Sequence, residues 1–282
     1  MLQPPTHLGH RFSRSALGCV FEFVLPGEDE GALAAAAGRA LDEVARIGRL
    51  VDPEDPGSEL SRLNRLGGRR LVRVSRDLLD LLVACGQLGL RTRGHFDPTA
   101  PARCRQHRPA DGIGAILVDP VRRVVRFRHP DTRLEFGGIA RGHALDRAAA
   151  VLRAAGVAEG LLTAGPELAL ALDGGWQLGL RPPGSPDGSP ALAHVPLRRR
   201  ALANLAPVGA DGSPDIVRPA TGGTARPGAA CAVIAPSAAE AEALSCALLA
   251  MGRRQAGRFC ATDRGQGLRV AWLEDGLRWL RP

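Results

Sequence analysis

The chain has no lysine and no tyrosine, and its asparagines are limited to Asn64 and Asn204. Arginine alone therefore supplies the positive side-chain charge, which gives a formal net charge of +8 and an isoelectric point near 10.5. Such a surplus can attract an anionic partner such as nucleic acid. However, the arginines are dispersed and only 4% of the residues are aromatic, which is too few to build a platform on which bases stack. A solvated basic surface explains the charge better, and nucleic-acid binding is not expected.

Long apolar runs are also missing, because no run approaches the ~20 residues that a membrane-spanning helix requires. The segment Ala16-Leu17-Gly18-Cys19 superficially matches a lipoprotein cleavage site, but the residues before it contain no apolar region for an export system to bind. The sequence as written is therefore expected to be cytoplasmic, and a periplasmic location would require a different start. Residues 1–15 are expected to form a flexible segment ahead of a domain over residues 16–282.

No two cysteines have the C-x-x-C spacing that is typical of metal sites and redox motifs. The cysteines are Cys19, Cys85, Cys104, Cys231, Cys246 and Cys260. Neither a zinc site nor a disulfide framework is predicted from this spacing. Most of these side chains are expected to be buried as small hydrophobic residues.

The apolar periodicity predicts both helices and short strands. Helices are expected over residues 32–50, after a cap at Ser75, and from a cap at Ser237 to Met251. Hairpins are expected to pair residues 168–172 with 176–180, and residues 268–273 with 277–280. Because the helices and antiparallel strands alternate without a βαβ rhythm, the predicted fold class is α+β.

Residues 135–146 contain Gly137, Gly138 and Gly142 between a predicted strand end at residues 133–136 and a predicted helix. Glycines let a ligand approach the backbone closely, and the N-terminus of a helix attracts negative charge. The turn therefore suits a phosphate-bearing ligand. A tight turn with close helix packing explains the same glycines equally well.

Glu242 and Cys246 lie one turn apart on the late helix and point to the same side, opposite its core face. A carboxylate and a sulfur in this arrangement could hold a cation. An exposed glutamate and a half-buried cysteine are the commoner outcome of the same spacing.

Six collinear segments are similar to the motifs of one known family. They are Ser58-Glu59-Leu60-Ser61-Arg62-Leu63-Asn64, Gly94-His95-Phe96-Asp97-Pro98-Thr99, residues 135–146, Leu162-Thr163-Ala164-Gly165, Trp176-Gln177-Leu178-Gly179-Leu180 and the helix from Ser237 to Gly252. From about Leu17 to Gly252 the chain resembles the ApbE-type FAD:protein FMN transferases. The common order of the six motifs, more than any one motif, carries this resemblance.

The resemblance implies a Mg²⁺-dependent enzyme that binds FAD and splits its pyrophosphate. FMN is then esterified to a threonine of an acceptor flavoprotein, and AMP is released. Mg²⁺ would neutralise charge on the pyrophosphate oxygens while positioned groups align the attacking hydroxyl. The resemblance also implies one ApbE-like domain of antiparallel or mixed sheets with flanking helices, either undivided or in two subdomains.

The same resemblance assigns candidate site residues to this chain. The FAD-contacting positions are Leu17, Glu54, His95, Phe96, Asp97, Glu135 and Arg141. The Mg²⁺-binding positions are Gly138, through its backbone carbonyl, Glu242, Ser245 and Cys246. Asp215 stands where the family has a histidine that serves flavin transfer, and it is the candidate catalytic base.

Several of these positions differ from the family. Glu242 and Cys246 replace an aspartate and a threonine, and Glu54 replaces a tyrosine. Sulfur is a poor ligand for Mg²⁺, and an ordinary aspartate such as Asp215 is a weaker base than histidine near neutral pH. Three hypotheses follow: an active, divergent FMN transferase; a degenerate homologue that binds FAD or a partner protein without catalysis; and an anion- or nucleic-acid-binding module driven by the net charge.

Overall fold

The computed structural model describes residues 9–106, 109–182, 185, 189–207, 216–274 and 276–281. The helices in these ranges are α1 (Glu30–Val51), α2 (Glu59–Leu66), α3 (Arg76–Arg91), α4 (Ala100–Cys104), α5 (Ala140–Ala154), α6 (Ala238–Met251) and α7 (Arg253–Cys260). The strands are β1 (His10–Ala16), β2 (Cys19–Leu25), β3 (Val72–Arg73), β4 (Ile116–Asp119), β5 (Val124–Phe127), β6 (Leu161–Ala164), β7 (Leu168–Ala171), β8 (Trp176–Leu180), β9 (Ala193–Leu197), β10 (Ala201–Leu205), β11 (Val217–Arg218), β12 (Gly223–Thr224), β13 (Ala230–Ala235), β14 (Arg269–Leu273) and β15 (Leu277–Arg281). Helices and antiparallel strands share one fold, which confirms the predicted α+β class.

Side-chain caps fix where several helices begin. Asp29, Ser58, Ser75 and Ser237 each accept a hydrogen bond from the backbone N–H three residues further on, and this satisfies an N–H that has no partner within the helix. The predicted caps Ser75 and Ser237 are therefore confirmed. Within the described ranges, no helix is both long and apolar enough to cross a membrane.

In the described part of the chain, eight strands form one antiparallel sheet in the order β1-β2-β6-β7-β10-β13-β14-β15. Its central strands β10 and β13 are buried along their whole length. One face packs against α1, α5 and α6, whose apolar side chains join the main core. The other face is covered by the β8–β9 ribbon through residues such as Trp176, Leu178 and Val195. The layers are thus helices, sheet and ribbon.

The two predicted hairpins have different outcomes. The β14–β15 hairpin is confirmed, with Leu273 opposite Leu277. The pairing of residues 168–172 with 176–180 is wrong, because β7 pairs with β6 and β10 while β8 pairs with β9. Asp173, held by Arg198 and Arg199, lies at the point where the chain leaves the large sheet for the ribbon. The sequence of an apolar strand that is buried on both faces does not indicate which strand pairs with it.

Two other local predictions also change. Residues 133–136 are not a strand, because the side chain of Asn64 takes the place of a neighbouring strand: it donates to the Leu134 carbonyl at 2.9 Å and accepts from the Leu134 N–H at 2.8 Å. Residues 10–15, expected in the flexible segment, belong to β1 and pair with β2. Residues 1–8 lie outside the described ranges.

The cysteines are all free thiols. Cys85, Cys231 and Cys260 are buried, as expected for small hydrophobic side chains, whereas Cys19 and Cys246 are half-buried, as is Cys104. Burial raises the pKa of Cys85 and Cys231 well above that of a free thiol, so both sulfurs are protonated at neutral pH.

Helices α5 and α6 cross at their N-terminal turns. A Cβ atom at Gly142 would lie 2.6 Å from the Ala239 nitrogen and closer still to the Ala238 carbonyl. Across the crossing, the Asp146 carboxylate accepts hydrogen bonds from the Ala238 and Ala239 N–H groups at 2.8 and 2.9 Å. The backbones of the two helices can approach this closely only because residue 142 is a glycine and has no side chain. The alternative explanation of the glycine stretch, close helix packing, applies to Gly142.

Gly142→Ala is expected to lower the free energy of unfolding by about 3 kcal/mol, the upper end of the usual cost of overpacking, because the new methyl group meets rigid backbone. Gly38→Ala is the matched control, since Gly38 is also helical and has no atom within 4 Å of its added Cβ. That control should gain up to ~1 kcal/mol from helix propensity. Chemical denaturation measures both changes, and a change of the same sign in the two variants would contradict the close crossing.

Candidate functional site

Glu135 is the side chain around which the candidate site is arranged. Its N–H donates to the Pro98 carbonyl at 2.9 Å, which ties the loop before α5 to the loop after α3. Its carboxylate pairs with both terminal nitrogens of Arg105, one of them at 3.0 Å. Three cavities of the described structure are lined in part by Glu135.

The first, here called the large cavity in contrast to the much smaller second one, has a volume of about 560 Å³. It lies between the β1–β2 turn, α1 and the loop before α5. Its lining includes Leu17, Gly48, Asp52, Glu135 and Gly137. The predicted positions Leu17 and Glu135, which are far apart in the sequence, therefore meet on one cavity. The volume falls within the roughly 300–1,000 Å³ that is usual for small-molecule sites.

Leu17 reaches this cavity from a strained backbone. It forms the two-residue β1–β2 turn with Gly18, and their φ angles are +49° and +73°. Such a turn normally has asparagine or glycine at both positions, and a leucine in the left-handed region costs about 1 kcal/mol or more. The leucine side chain packs over Gly48, where an added Cβ would be 3.5 Å from Leu17 Cγ. Strain of this kind is commonly found at functional sites.

The second, here called the small cavity, has a volume of about 70 Å³. Its lining includes His95, Phe96, Asp97, Glu135, Gly138, Ile216 and Cys246. Predicted FAD-contacting and metal-binding positions from three separate segments thus come together here. Gly138 has little room for a side chain, because an added Cβ would be 3.1 Å from the Cys246 sulfur and 3.6 Å from the Phe96 ring.

His95 has a fixed environment within the small cavity. Its Nε2 atom lies 2.7 Å from the side-chain nitrogen of Gln255, so with the amide as donor this ring nitrogen accepts and carries no proton. Burial lowers the pKa of His95. Both effects favour the neutral imidazole.

Asp97 holds its loop in shape. Its Oδ1 atom accepts hydrogen bonds from the N–H and the hydroxyl of Thr99, each at 2.8 Å. Burial raises the pKa of Asp97, although the bonds from Thr99 act against that shift. The Thr99 hydroxyl also accepts from the Asp111 N–H at 3.1 Å, which extends the network to Asp111. Contact between Asp97 and FAD stays a prediction.

The third, here called the arginine cavity, has a volume of about 650 Å³. Its lining includes Glu54, Ser61, Asn64, Arg65, Arg69, Arg105, Arg133 and Glu135. The predicted position Glu54 lies here rather than on the large cavity. The four arginines outnumber the two glutamates, so the cavity presents a positive field to an anionic ligand.

Arg141 and Glu242 form an ion pair, and neither residue is among those that line the three cavities. The Arg141 Nε donates to Glu242 at 2.8 Å, and an Arg141 terminal nitrogen donates to Glu167 at 3.0 Å. The second Glu242 oxygen accepts from the Gly142 N–H at 2.8 Å. The Glu242 side chain is completely buried, and this burial raises its pKa against the opposing effects of Arg141 and Gly142. The positive end of α5 thus already holds a carboxylate of the protein itself.

The four predicted metal-binding positions do not together form a Mg²⁺ site, because their three side chains do not fit the ion as they stand. Both oxygens of Glu242 are engaged, one of them by a cationic guanidinium. The Ser245 hydroxyl is buried against the sheet and donates to the Cys231 carbonyl at 3.3 Å. Gly138 and Cys246 line the small cavity, and the latter offers only a soft sulfur. Among the described residues, no group of three His, Cys, Asp or Glu side chains could hold a metal ion.

Sequence reasoning did not identify several side chains that position the site. Asn64 anchors the loop that carries Glu135, Glu167 completes the Arg141 pair, and Asp146 caps α6. Asn64 and Asp146 fall within noticed motifs, but their partners lie 70 and 92 residues away, beyond any local signal. Asp215 lies outside the described residues, so its predicted role stays a prediction.

Solved structures of ApbE proteins share this fold. The ApbE protein of Thermotoga maritima matches with a TM-score of 0.83 at 22% identity, over 96% of this chain and 97% of that chain. The apo flavinyl transferase ApbE of Pseudomonas stutzeri gives 0.80 at 18% identity, over 96% and 93%. The flavin transferase ApbE of Vibrio cholerae gives 0.72 at 19% identity, over 99% and 97%. At these identities the likeness establishes the fold.

The fold and the gathered motifs together define an ApbE-like protein with adjoining cavities. The model of the ApbE family matches residues 17–271, whereas no curated protein sequence matches the chain significantly. Since the family model spans most of the sequence, this chain belongs to the ApbE family. The resemblance inferred from the six motifs is confirmed.

Acid is expected to destabilise the folded protein in part through His95. Because burial lowers the His95 pKa, its contribution to stability is fully present above the unfolded value of about 6.5 and is lost as the pH falls through the folded value. His95→Gln should therefore flatten the fall in unfolding free energy over the pH range in which the imidazole of the unfolded chain titrates, around its value of about 6.5. Denaturant titrations across this range measure the slope.

His194→Gln, on the exposed side of β9, controls for the loss of any histidine. Parallel slopes for His95→Gln and the unmodified protein would show that His95 titrates alike in the folded and unfolded chains.

Proposed function

We propose that the protein is a flavin transferase that binds FAD in the cavities around Glu135 and transfers FMN to a threonine of an acceptor flavoprotein. The observation that carries the proposal is the convergence of Leu17, residues 95–97, Glu135 and Gly138 on adjoining cavities in a chain of the ApbE family. The similar proteins of Pseudomonas stutzeri and Vibrio cholerae are named as flavinyl and flavin transferases, which supports the same activity here.

In the proposed reaction, the threonine oxygen attacks the phosphorus of the FMN half of FAD. The P–O bond to the bridging oxygen breaks, and AMP departs with that oxygen. The hydroxyl proton passes to a base, for which Asp215 is the candidate. Ile216, the next residue in the chain, lines the small cavity beside His95, which supports placing the acceptor hydroxyl there. The arginine cavity would attract the negative pyrophosphate.

The resemblance also implies Mg²⁺, which in such a reaction neutralises charge on the pyrophosphate oxygens. Because both oxygens of Glu242 and the hydroxyl of Ser245 are already engaged and Cys246 offers only sulfur, these side chains do not fit the ion in their present arrangement, and no step is assigned to it. The residues of this chain are proposed to bind the flavin, exclude water and orient the acceptor.

A second candidate is an FAD-binding homologue without transferase activity. It is favoured by the ion pair that engages Glu242 and by the burial of the Ser245 hydroxyl in the core. Both candidates share the FAD site and differ only in turnover.

Filling the large cavity should block FAD binding. Gly137 lines this cavity, is exposed, and has no atom within 4 Å of an added Cβ. Gly137→Phe is therefore expected to weaken FAD binding by about tenfold or more while changing stability by less than about 0.5 kcal/mol. Quenching of flavin fluorescence on binding measures the affinity.

Gly175→Phe is the matched control, because Gly175 is exposed in a loop and also has no atom within 4 Å of an added Cβ. FAD affinity that is equal in the two variants would place the flavin elsewhere.

Turnover separates the two candidates. Incubation with FAD, a divalent metal and an acceptor that carries the family's threonine motif is expected to release AMP. An equal molar amount of flavin should become covalently bound to the acceptor, where its fluorescence is measured. An acceptor with valine in place of that threonine controls for adsorbed flavin. FAD binding without AMP release, across several divalent metals, would leave the non-catalytic candidate as the function.

A further inference from the structure

The Arg141–Glu242 pair has the features of a permanent structural element. Glu242 is completely buried, and its two oxygens accept from a guanidinium and from a backbone N–H, each at 2.8 Å. Arg141 is held from a second direction by Glu167 at 3.0 Å. Each strong polar contact that a buried carboxylate needs is thus supplied by the protein.

A divalent cation at Glu242 would have to displace one of these donors. If it displaced Arg141, the guanidinium would lose a buried charged partner, which is strongly unfavourable. If it joined the carboxylate without displacement, a double positive charge would lie within a few ångströms of a fixed positive charge in a poorly solvated place. The Gly142 N–H belongs to the first turn of α5, whose own dipole also repels a cation.

The remaining predicted ligands do not compensate. Ser245 donates its hydroxyl proton to the carbonyl of Cys231 on the neighbouring strand, and lies within 3.4 Å of the Ala203 carbonyl. Cys246 faces Gly138 in the small cavity and offers sulfur, which suits soft metals rather than Mg²⁺.

We propose that Arg141 is the resident cation of this site: Glu242 is its counter-ion and not a ligand for a divalent metal, so the chain takes up its anionic flavin ligand without a metal ion at Glu242. The part of this inference that concerns FAD rests on the proposed function. The part that concerns Glu242 and the metal does not.

The metal part is tested with Mn²⁺ and the full-length protein without FAD. The electron paramagnetic resonance signal of free Mn²⁺ is followed during titration of the unmodified protein, Glu242→Gln and Glu240→Gln. Glu240 is the matched control, because it lies on the same helix and also pairs with an arginine, Arg91. We expect Glu242→Gln to bind as much Mn²⁺ as the other two proteins, whether that amount is zero or one ion at another place. A loss of affinity of about tenfold or more in Glu242→Gln alone would overturn the proposal.

If Glu242→Gln fails to fold, a direct measurement on the unmodified protein takes the place of this titration. Anomalous diffraction from crystals of the unmodified protein soaked in Mn²⁺ locates bound ions without any substitution. No anomalous peak within coordination distance of Glu242 is expected, and a peak there would overturn the proposal.

The FAD part uses flavin fluorescence with excess EDTA or with millimolar Mg²⁺. Affinities that agree within about twofold are expected. A requirement for Mg²⁺ that disappears in Glu242→Gln would overturn the proposal, whereas a requirement that persists in this variant would mean that the metal arrives with the ligand and would support it. Absence of FAD binding under both conditions would reject the proposed function and leave the Mn²⁺ result to decide the role of Glu242.

Discussion

The carboxylate of Glu242 lies where two helices and the site loop meet. It joins α6 to the first turn of α5 through Gly142 and to the side chain of Arg141. In the opposite direction, Asp146 of α5 caps the start of α6. The two helices therefore satisfy each other's free N–H groups, which water would satisfy at an exposed helix end. This exchange requires backbones in direct contact, and the missing side chain at Gly142 makes that contact possible.

The site loop depends on this crossing at one end and on Asn64 at the other. Residues 135–139 run from the backbone that Asn64 holds, at Leu134, to the first turn of α5. Their length leaves little freedom, so the positions of Glu135 and Gly138 follow from the helix crossing and from the Asn64 side chain. A site of this kind is fixed by elements whose own stability comes from the core. The chemistry of the cavities and the stability of the fold consequently share the same few contacts.

Local signals in the sequence predicted the helix caps at Ser75 and Ser237 and the β14–β15 hairpin, because each rests on residues a few positions apart. The resemblance to the ApbE family gave the fold and most candidate site residues. Helical spacing could not identify the partner of Glu242, since Arg141 lies 101 residues away. Nor could an apolar pattern reveal that β7 faces β6 and β10, or that a side chain rather than a strand would pair with residue 134. Such long-range pairings depend on tertiary packing.

Glu135 forms a common wall between cavities that would otherwise be independent. Its carboxylate is neutralised by Arg105, which lines the arginine cavity. Glu135 itself also borders the large and small cavities. An anion that drew Arg105 away would uncover a negative charge facing the other two cavities. If a ligand beside Glu135 in one cavity changed the affinity of a ligand in another, thermodynamic linkage would make that effect reciprocal. The displacement of a single arginine from Glu135 would therefore change the charge that the neighbouring cavities present to their own ligands.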